Sequence, residues 1–263
     1  MNVLEKLASW IVDDVLLNWP HPRPAEEALN KLKIIAHRGV HESNLAIENT
    51  RPAFQLAVDE KLWAIECDVR WTKDLIPVIH HDHNCQRLFK KNIFISQSTW
   101  AELHLAVPQI LRLSDVVEQF GKKIHLMLEL KEDFCGPEIN VKNAALKNTL
   151  APLKPNDDYH LLSLEPQILE RVTFAPKTSF MDVIWLNPSY VFELNARHQH
   201  GAVAGHPLFF NKNKVLELQS KGKQVGVGFI KSRHSLYREI AKGVDFVFTD
   251  NPLALKKSLL NPA

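Results

Sequence analysis

YHLLSLEPQILERVTFAPKTSFMDVIW, residues 159–185, sets a short apolar run, a helical stretch and a second apolar run end to end. Strands buried on both faces read as near-continuous apolar runs, and a helical crossover is what lets the next strand run parallel to the last. The same unit recurs on both sides. Upstream lie KIIA (33–36), AIECDV (64–69) and IHLMLEL (124–130); downstream lie GAVAG (201–205), QVGVGFI (224–230) and DFVFT (245–249). Between them run helical patterns such as ENTRPAFQLAVDE (48–60), GPEINVKNAALKNTL (136–150), NKVLELQSKG (213–222) and SLYREIAKG (235–243), the last two ending on glycine. With PVIH (77–80) set aside as an excursion, the units fill about 230 residues. That length indicates a closed TIM-type (β/α)8 barrel, with an open doubly wound α/β sheet as the alternative.

The chain has 263 residues and a net charge of +2, with no basic run and no interleaving of basic and aromatic residues. One large domain is expected, and nucleic acid binding has no electrostatic support. Cys67, Cys85 and Cys135 lack paired spacing, which argues against a disulfide framework or a structural zinc site and favours a reducing, cytoplasmic setting. Glu5, Lys6, Asp13 and Asp14 interrupt the apolar N-terminus, so neither a signal peptide nor a membrane span is expected there. Val3, Leu4, Leu7, Ile11, Val15 and their neighbours instead share one helical face. Residues 1–32 therefore read as a helical extension packing on the barrel and 33–263 as the barrel itself, with a rim excursion over 83–119.

Chemistry-bearing residues collect at strand ends. Glu66 and Asp68 are two apart on a strand, so both leave one face while Cys67 leaves the other. Two buried acids repel and titrate upward unless a cation neutralises them. Glu129 and Lys131 repeat the two-residue spacing, as a further ligand beside a cation or as a rim ion pair. His37 and Arg38 close the first strand, where barrel enzymes build their sites. His80 and His81 are adjacent, so on an extended segment they face opposite ways. Asn49, Thr50 and Asp250 read chiefly as helix caps.

Together, AHRG (36–39), ENTRPAF (48–54), IECDVRWTKD (65–74), HHD (80–82), LELK (128–131) and TDNP (249–252) resemble the glycerophosphodiester phosphodiesterase family. The resemblance implies hydrolysis of glycerophosphodiesters to glycerol 3-phosphate and an alcohol. It implies one divalent cation (Mg, Ca or Mn) on Glu66, Asp68 and Glu129, with His37 and His81 as acid and base and Arg38 and Lys131 on the phosphate. It selects His81 over His80, because the family's histidine precedes an aspartate. Glu48 and Asp82 are then supporting hydrogen-bond partners, and Arg87 contacts substrate or braces its loop. The expected partner is a small-molecule glycerophosphodiester, with no stable membrane insertion.

Three positions depart from the pattern. Ile47 replaces a proline, Leu75 replaces a glycine, and GFIKS (228–232) stands where the family has a tryptophan-threonine pair on the seventh strand. Phe229 or Trp185 is then expected to supply the pocket's apolar wall. Two rival readings are a lipid phosphodiesterase of the same superfamily, of the sphingomyelinase D or phosphatidylinositol phospholipase C type, and a non-catalytic barrel used as a binding module. The first needs an apolar rim; the second has no reason to keep five site residues together.

Overall fold

The structure is a computed structural model describing residues 19–131 and 134–260. The amphipathic face expected over residues 3–16 lies outside the described residues. Among the described residues ten strands form one sheet: β1 (Lys33–Ala36), β2 (Ala64–Trp71), β3 (Pro77–Ile79), β4 (Leu111–Arg112), β5 (His125–Leu130), β6 (Tyr159–Ser163), β7 (Phe180–Ile184), β8 (Ala202–Gly205), β9 (Gln224–Val227) and β10 (Phe246–Thr249). All but β3 and β4 run parallel and close on themselves, because β1 pairs with both β10 and β2. This is the (β/α)8 barrel. The open-sheet alternative is excluded by that closing pair.

Side-chain alternation sorts the core into two layers. Ile35, Ala64, Met127, Leu162, Met181, Ala202, Ala204 and Phe246 fill the barrel interior. The intervening residues, such as Ile34, Ile65, Cys67 and Leu126, face the surrounding helices. Those helices include α1 (Glu26–Lys31), α2 (Arg51–Asp59), α3 (Gln86–Phe89), α4 (Trp100–Ala106), α5 (Leu113–Phe120), α6 (Ile139–Leu150), α7 (Pro166–Leu169), α8 (Pro188–His198), α9 (Lys212–Ser220), α10 (Arg233–Lys242) and α11 (Pro252–Leu260). Among the described residues ahead of β1, α1 buries Leu29 beside Tyr237 and Ile240, so it lies on the barrel wall.

The excursion between β2 and β5 differs from its expected extent. β2 runs on past the barrel, β3 returns antiparallel to it (Val69 opposite Ile79), and β4 adds on as the outermost strand. Val78, Cys85, Ile95, Leu103, Val107 and Ile110 give this insert its own small core. Leu113–Phe120, all but its last residue expected inside the excursion, is instead the outer helix completing the β2-to-β5 crossover, packed between α2 and α6. Its buried face of Leu113, Val116, Val117 and Phe120 is that of an ordinary barrel helix.

The floor of the barrel carries a polar pair. The His125 Nε2 and His160 Nδ1 atoms are 2.8 Å apart, and His125 stacks on Trp63 at 4.4 Å between centroids. Burial pushes the His125 ring down to about 4; burial and the neighbouring His125 push His160 down to about 3. A histidine free in the unfolded chain protonates near 6.5, so between the two values the unfolded state holds more protons. The neutral pair therefore supports the fold above that pH and loses its contribution as pH falls. Lowering pH from about 7 to about 5 should destabilise wild type more than His160→Gln by about 2 kcal/mol, read by urea denaturation. Equal losses in the two proteins would contradict this.

Candidate active site

Parallel register brings the first carboxylates together. β2 and β5 align Asp68 with Glu129 and Glu66 with Met127, so two neighbouring strands present three acids to the same end of the barrel. Ligand oxygens of Glu66, Asp68 and Glu129 all lie within 4.8 Å of one another. Glu66 and Asp68 are buried, and Glu66 Oε1 has no hydrogen-bond partner. Burial, reinforced by the charges of Asp68 and Glu129, pushes the Glu66 carboxyl up to about 8. Asp68 goes the other way. Burial opposes its charge, but the Lys131 ammonium at 2.6 Å and the Arg38 guanidinium at 3.3 Å hold it well below the usual carboxylate range.

Asn49 belongs to this cluster. Its side-chain amide donates to Asp68 Oδ2 at 2.7 Å, and its backbone, in the left-handed region at φ 57°, donates to the Arg38 carbonyl at 2.9 Å. Thr50 occupies the N-cap position of α2, but its hydroxyl donates to the Ile47 carbonyl and makes no cap bond, so neither residue plays the expected side-chain capping role. Arg38 also has a positive φ of 57°. That turn aims its backbone N–H at Glu66 Oε2, 2.9 Å away, and its guanidinium at Glu48 and Asp68. Gly39 follows at φ 81°, where a Cβ would lie 2.8 Å from Phe54.

Both candidate histidines are held from behind by an aspartate. The His37 Nδ1 lies 2.6 Å from Asp250 Oδ1, and the His81 Nδ1 lies 2.7 Å from Asp82 Oδ1. In each ring a carboxylate fixes the proton on Nδ1 and leaves Nε2 for the site; His37 Nε2 is 3.8 Å from Glu66. Burial lowers the His37 pKa, but the Asp250 hydrogen bond and the Glu66 charge outweigh it and leave the ring raised. Asp82 is held down to about 2: burial works against its charge, and Arg87 and His81 overcome it. The reading of Asp250 as chiefly a helix cap is corrected here. The backbone of α11 begins from Asn251, Glu42 accepts the Leu253 N–H at 3.0 Å, and Asp250 serves His37 and His41. β1 and β10 align Ala36 with Thr249, so the next pair along is His37 beside Asp250. That contact needs the barrel to close, which no local motif reveals.

His80 is turned away from the carboxylates. Its buried ring lies 3.0 Å from the Asn84 carbonyl, and burial lowers its pKa. Arg87 is occupied by Glu48 at 2.6 Å and Asp82 at 2.6 Å, which braces the His81 loop against the ENT segment. An unbroken charge chain thus runs from Lys131 through Asp68, Arg38, Glu48, Arg87 and Asp82 to His81. Lys131 also contacts Glu129 at 2.5 Å. Every sequence-derived site residue is on this one barrel end, with Glu48 and Asp82 linking the two histidine-bearing segments.

The sequence model of the glycerophosphoryl diester phosphodiesterase family matches residues 37–254. A glycerophosphodiester phosphodiesterase of Caldanaerobacter subterraneus is 28% identical over 246 residues, covering 86% of this chain and 96% of that protein. Lysophospholipase D GDPD1 of Rattus norvegicus is 27% identical over 314 residues, covering 98% and 96%. Among solved structures, an Oleispira antarctica phosphodiesterase in complex with the product sn-glycerol-3-phosphate has a TM-score of 0.72 at 25% identity, covering 89% of this chain and 99% of that one.

Proposed function

The chain belongs to the glycerophosphoryl diester phosphodiesterase family and is a phosphoric diester hydrolase, and on that premise we propose that it cleaves glycerophosphodiesters to glycerol 3-phosphate and an alcohol. We further propose one divalent cation on Glu66, Asp68 and Glu129, with His37 and His81 transferring the protons. The observation that carries this is the convergence of three carboxylates around the buried, unpartnered Glu66 Oε1. An all-oxygen set of this kind suits magnesium, calcium or manganese. Such a cation supplies charge stabilisation at the phosphoryl oxygens.

The chain's own residues do the rest. A substrate hydroxyl beside the diester attacks phosphorus while the Nε2 of one histidine takes its proton. The Nε2 of the other gives a proton to the departing alcohol, and with the roles reversed water opens the cyclic phosphate. Asp250 and Asp82 hold the two rings in the tautomer this needs. Once a cation meets the carboxylate charge, Lys131 and Arg38 can turn N–H donors to phosphate, Arg38 through its fork of donors. No helix among the described residues is long and apolar enough to cross a membrane. The buried thiols of Cys67 and Cys85 support a reducing, cytoplasmic setting.

The test is release of glycerol 3-phosphate from choline, ethanolamine, glycerol and inositol glycerophosphodiesters, with and without chelator. Turnover that chelation abolishes and magnesium, calcium or manganese restores is the expected result. Full activity in excess chelator would overturn the cation, and no turnover of any ester would overturn the substrate class. Asn49 supplies a finer prediction, because groups orienting a metal ligand typically contribute about 10- to 100-fold to metal affinity or activity. Asn49→Ala should weaken metal affinity on that scale by calorimetry. Unchanged affinity would reduce Asn49 to a turn residue.

A further inference from the structure

We propose that Arg70 is a positioning residue for His81: its buried bond to the His81 carbonyl fixes where that ring stands relative to the carboxylates on β2 and β5. The assignment rests on the reading of His81 as a proton-transfer group and deepens it.

Arg70 follows Glu66 and Asp68 at two-residue spacing, so all three side chains leave β2 on one face. It lies beyond the carboxylates, where β2 has run past the barrel and pairs with β3, opposite Val78. β3 ends at Ile79, and the His80 N–H still donates to the Asp68 carbonyl at 3.0 Å. One residue later the ladder is over. The His81 carbonyl takes its hydrogen bond from the Arg70 side chain instead: Nε donates to it at 2.7 Å, while Nη1 lies 3.3 Å from His83 Nδ1. Arg70 is only 4% exposed. A guanidinium bond of that length is charge-assisted, and burial keeps water and salt from competing for it.

The remaining bonds around His81 hold it differently. Its ring is held by Asp82, the next residue in sequence, and Asp82 by Arg87, five residues on. Those contacts lie within one loop, so they orient the ring against the loop and persist when the loop moves as a body. Arg87 also reaches Glu48, which ties the loop to the segment ahead of α2 rather than to the strand bearing the carboxylates. Arg70 joins the His81 backbone directly to that strand, which carries two of the three converging acids. Its bond therefore sets the separation between the proton-transfer ring and the carboxylates. An error of about 1 Å in such a geometry costs about a hundredfold in rate.

Glutamine and methionine separate this bond from everything else that Arg70 does. The side-chain nitrogen of glutamine takes the position that Nε holds along arginine, so Arg70→Gln keeps the donor to His81 while losing the charge and the His83 contact. Methionine has the same reach and no donor. Rates are measured on the full chain with its divalent cation, per folded protein, on the best substrate of the glycerophosphodiester panel above. Arg70→Met should lower kcat by about 10- to 100-fold with KM within about threefold, and Arg70→Gln should keep kcat within about threefold of wild type. In a His81→Ala background, Arg70→Met should cost less than about twofold more, because no ring is left to place. Manganese affinity by calorimetry should be the same in wild type and both single variants.

Losses that multiply in the double variant, a fall in manganese affinity that tracks the fall in kcat, or an Arg70→Gln protein as slow as Arg70→Met would each overturn the assignment. Should Arg70→Met not fold, Arg70→Ser, which leaves room for a water against the His81 carbonyl, takes its place in the same cycle. A His81→Ala protein with the wild-type rate would instead strike the reading of His81 beneath it.

Discussion

Alanine at His37 or at His81 should lower kcat by about a hundred- to ten-thousandfold while the protein stays folded, the usual contribution of a positioned acid or base. The two rings are equivalent in construction: each has Nδ1 on an aspartate, and neither is part of the apolar core. His80 is the internal control. It neighbours His81 in sequence, yet its ring is buried against the Asn84 carbonyl, so His80→Ala should act on stability. An orphaned buried carbonyl costs about 1–3 kcal/mol, and the rate of the folded fraction should stay within about tenfold of wild type. Steady-state rates normalised to folded protein, with urea denaturation of each variant, separate the two effects. A larger rate loss at His80 than at His81 would reverse the assignment.

Glu66→Gln and Asp68→Asn should both abolish cation-dependent turnover, but part company on stability without added metal. Glu66 is pushed up to about 8, so near neutral pH its folded carboxyl is already protonated and a glutamine imitates it. As pH rises from the unfolded value near 4.5 to about 8, burial of this group costs progressively more stability, and glutamine removes that cost. The metal-free Glu66→Gln protein should therefore be as stable as wild type or more so. Asp68 is ionised between Lys131 and Arg38, and its neutralisation breaks both buried pairs, leaving Lys131 to Glu129 and Arg38 to Glu48. Breaking a buried pair in this way costs about 3–5 kcal/mol. Thermal unfolding with and without manganese checks both statements, since wild type gains stability on binding and Glu66→Gln should not. A metal-free Glu66→Gln protein as damaged as Asp68→Asn would contradict the electrostatic account.

The barrel was legible because its strands are short apolar runs separated by helical periodicity, and closure followed from the number of units. The excursion was misjudged at one end, since Leu113–Phe120 has the amphipathic pattern of any helix and only its packing between α2 and α6 makes it the crossover. Glu66 and Asp68 could be singled out because a two-residue spacing within an apolar strand leaves two acids nowhere to go but the barrel. Asp250 could not, because its partner His37 is 213 residues away and meets it only when the last strand pairs with the first. Asn49 was hidden for a related reason: an asparagine before a helix is an ordinary cap, and its bond to Asp68 depends on the left-handed turn of its backbone.

The central claim is a cation held by Glu66, Asp68 and Glu129, and anomalous scattering from crystals grown with manganese tests it most directly. The account predicts one strong peak on the barrel's catalytic end, with oxygens of all three carboxylates at about 2.0–2.6 Å. No peak there at a manganese concentration that supports turnover, or a peak bound by other residues, would contradict it.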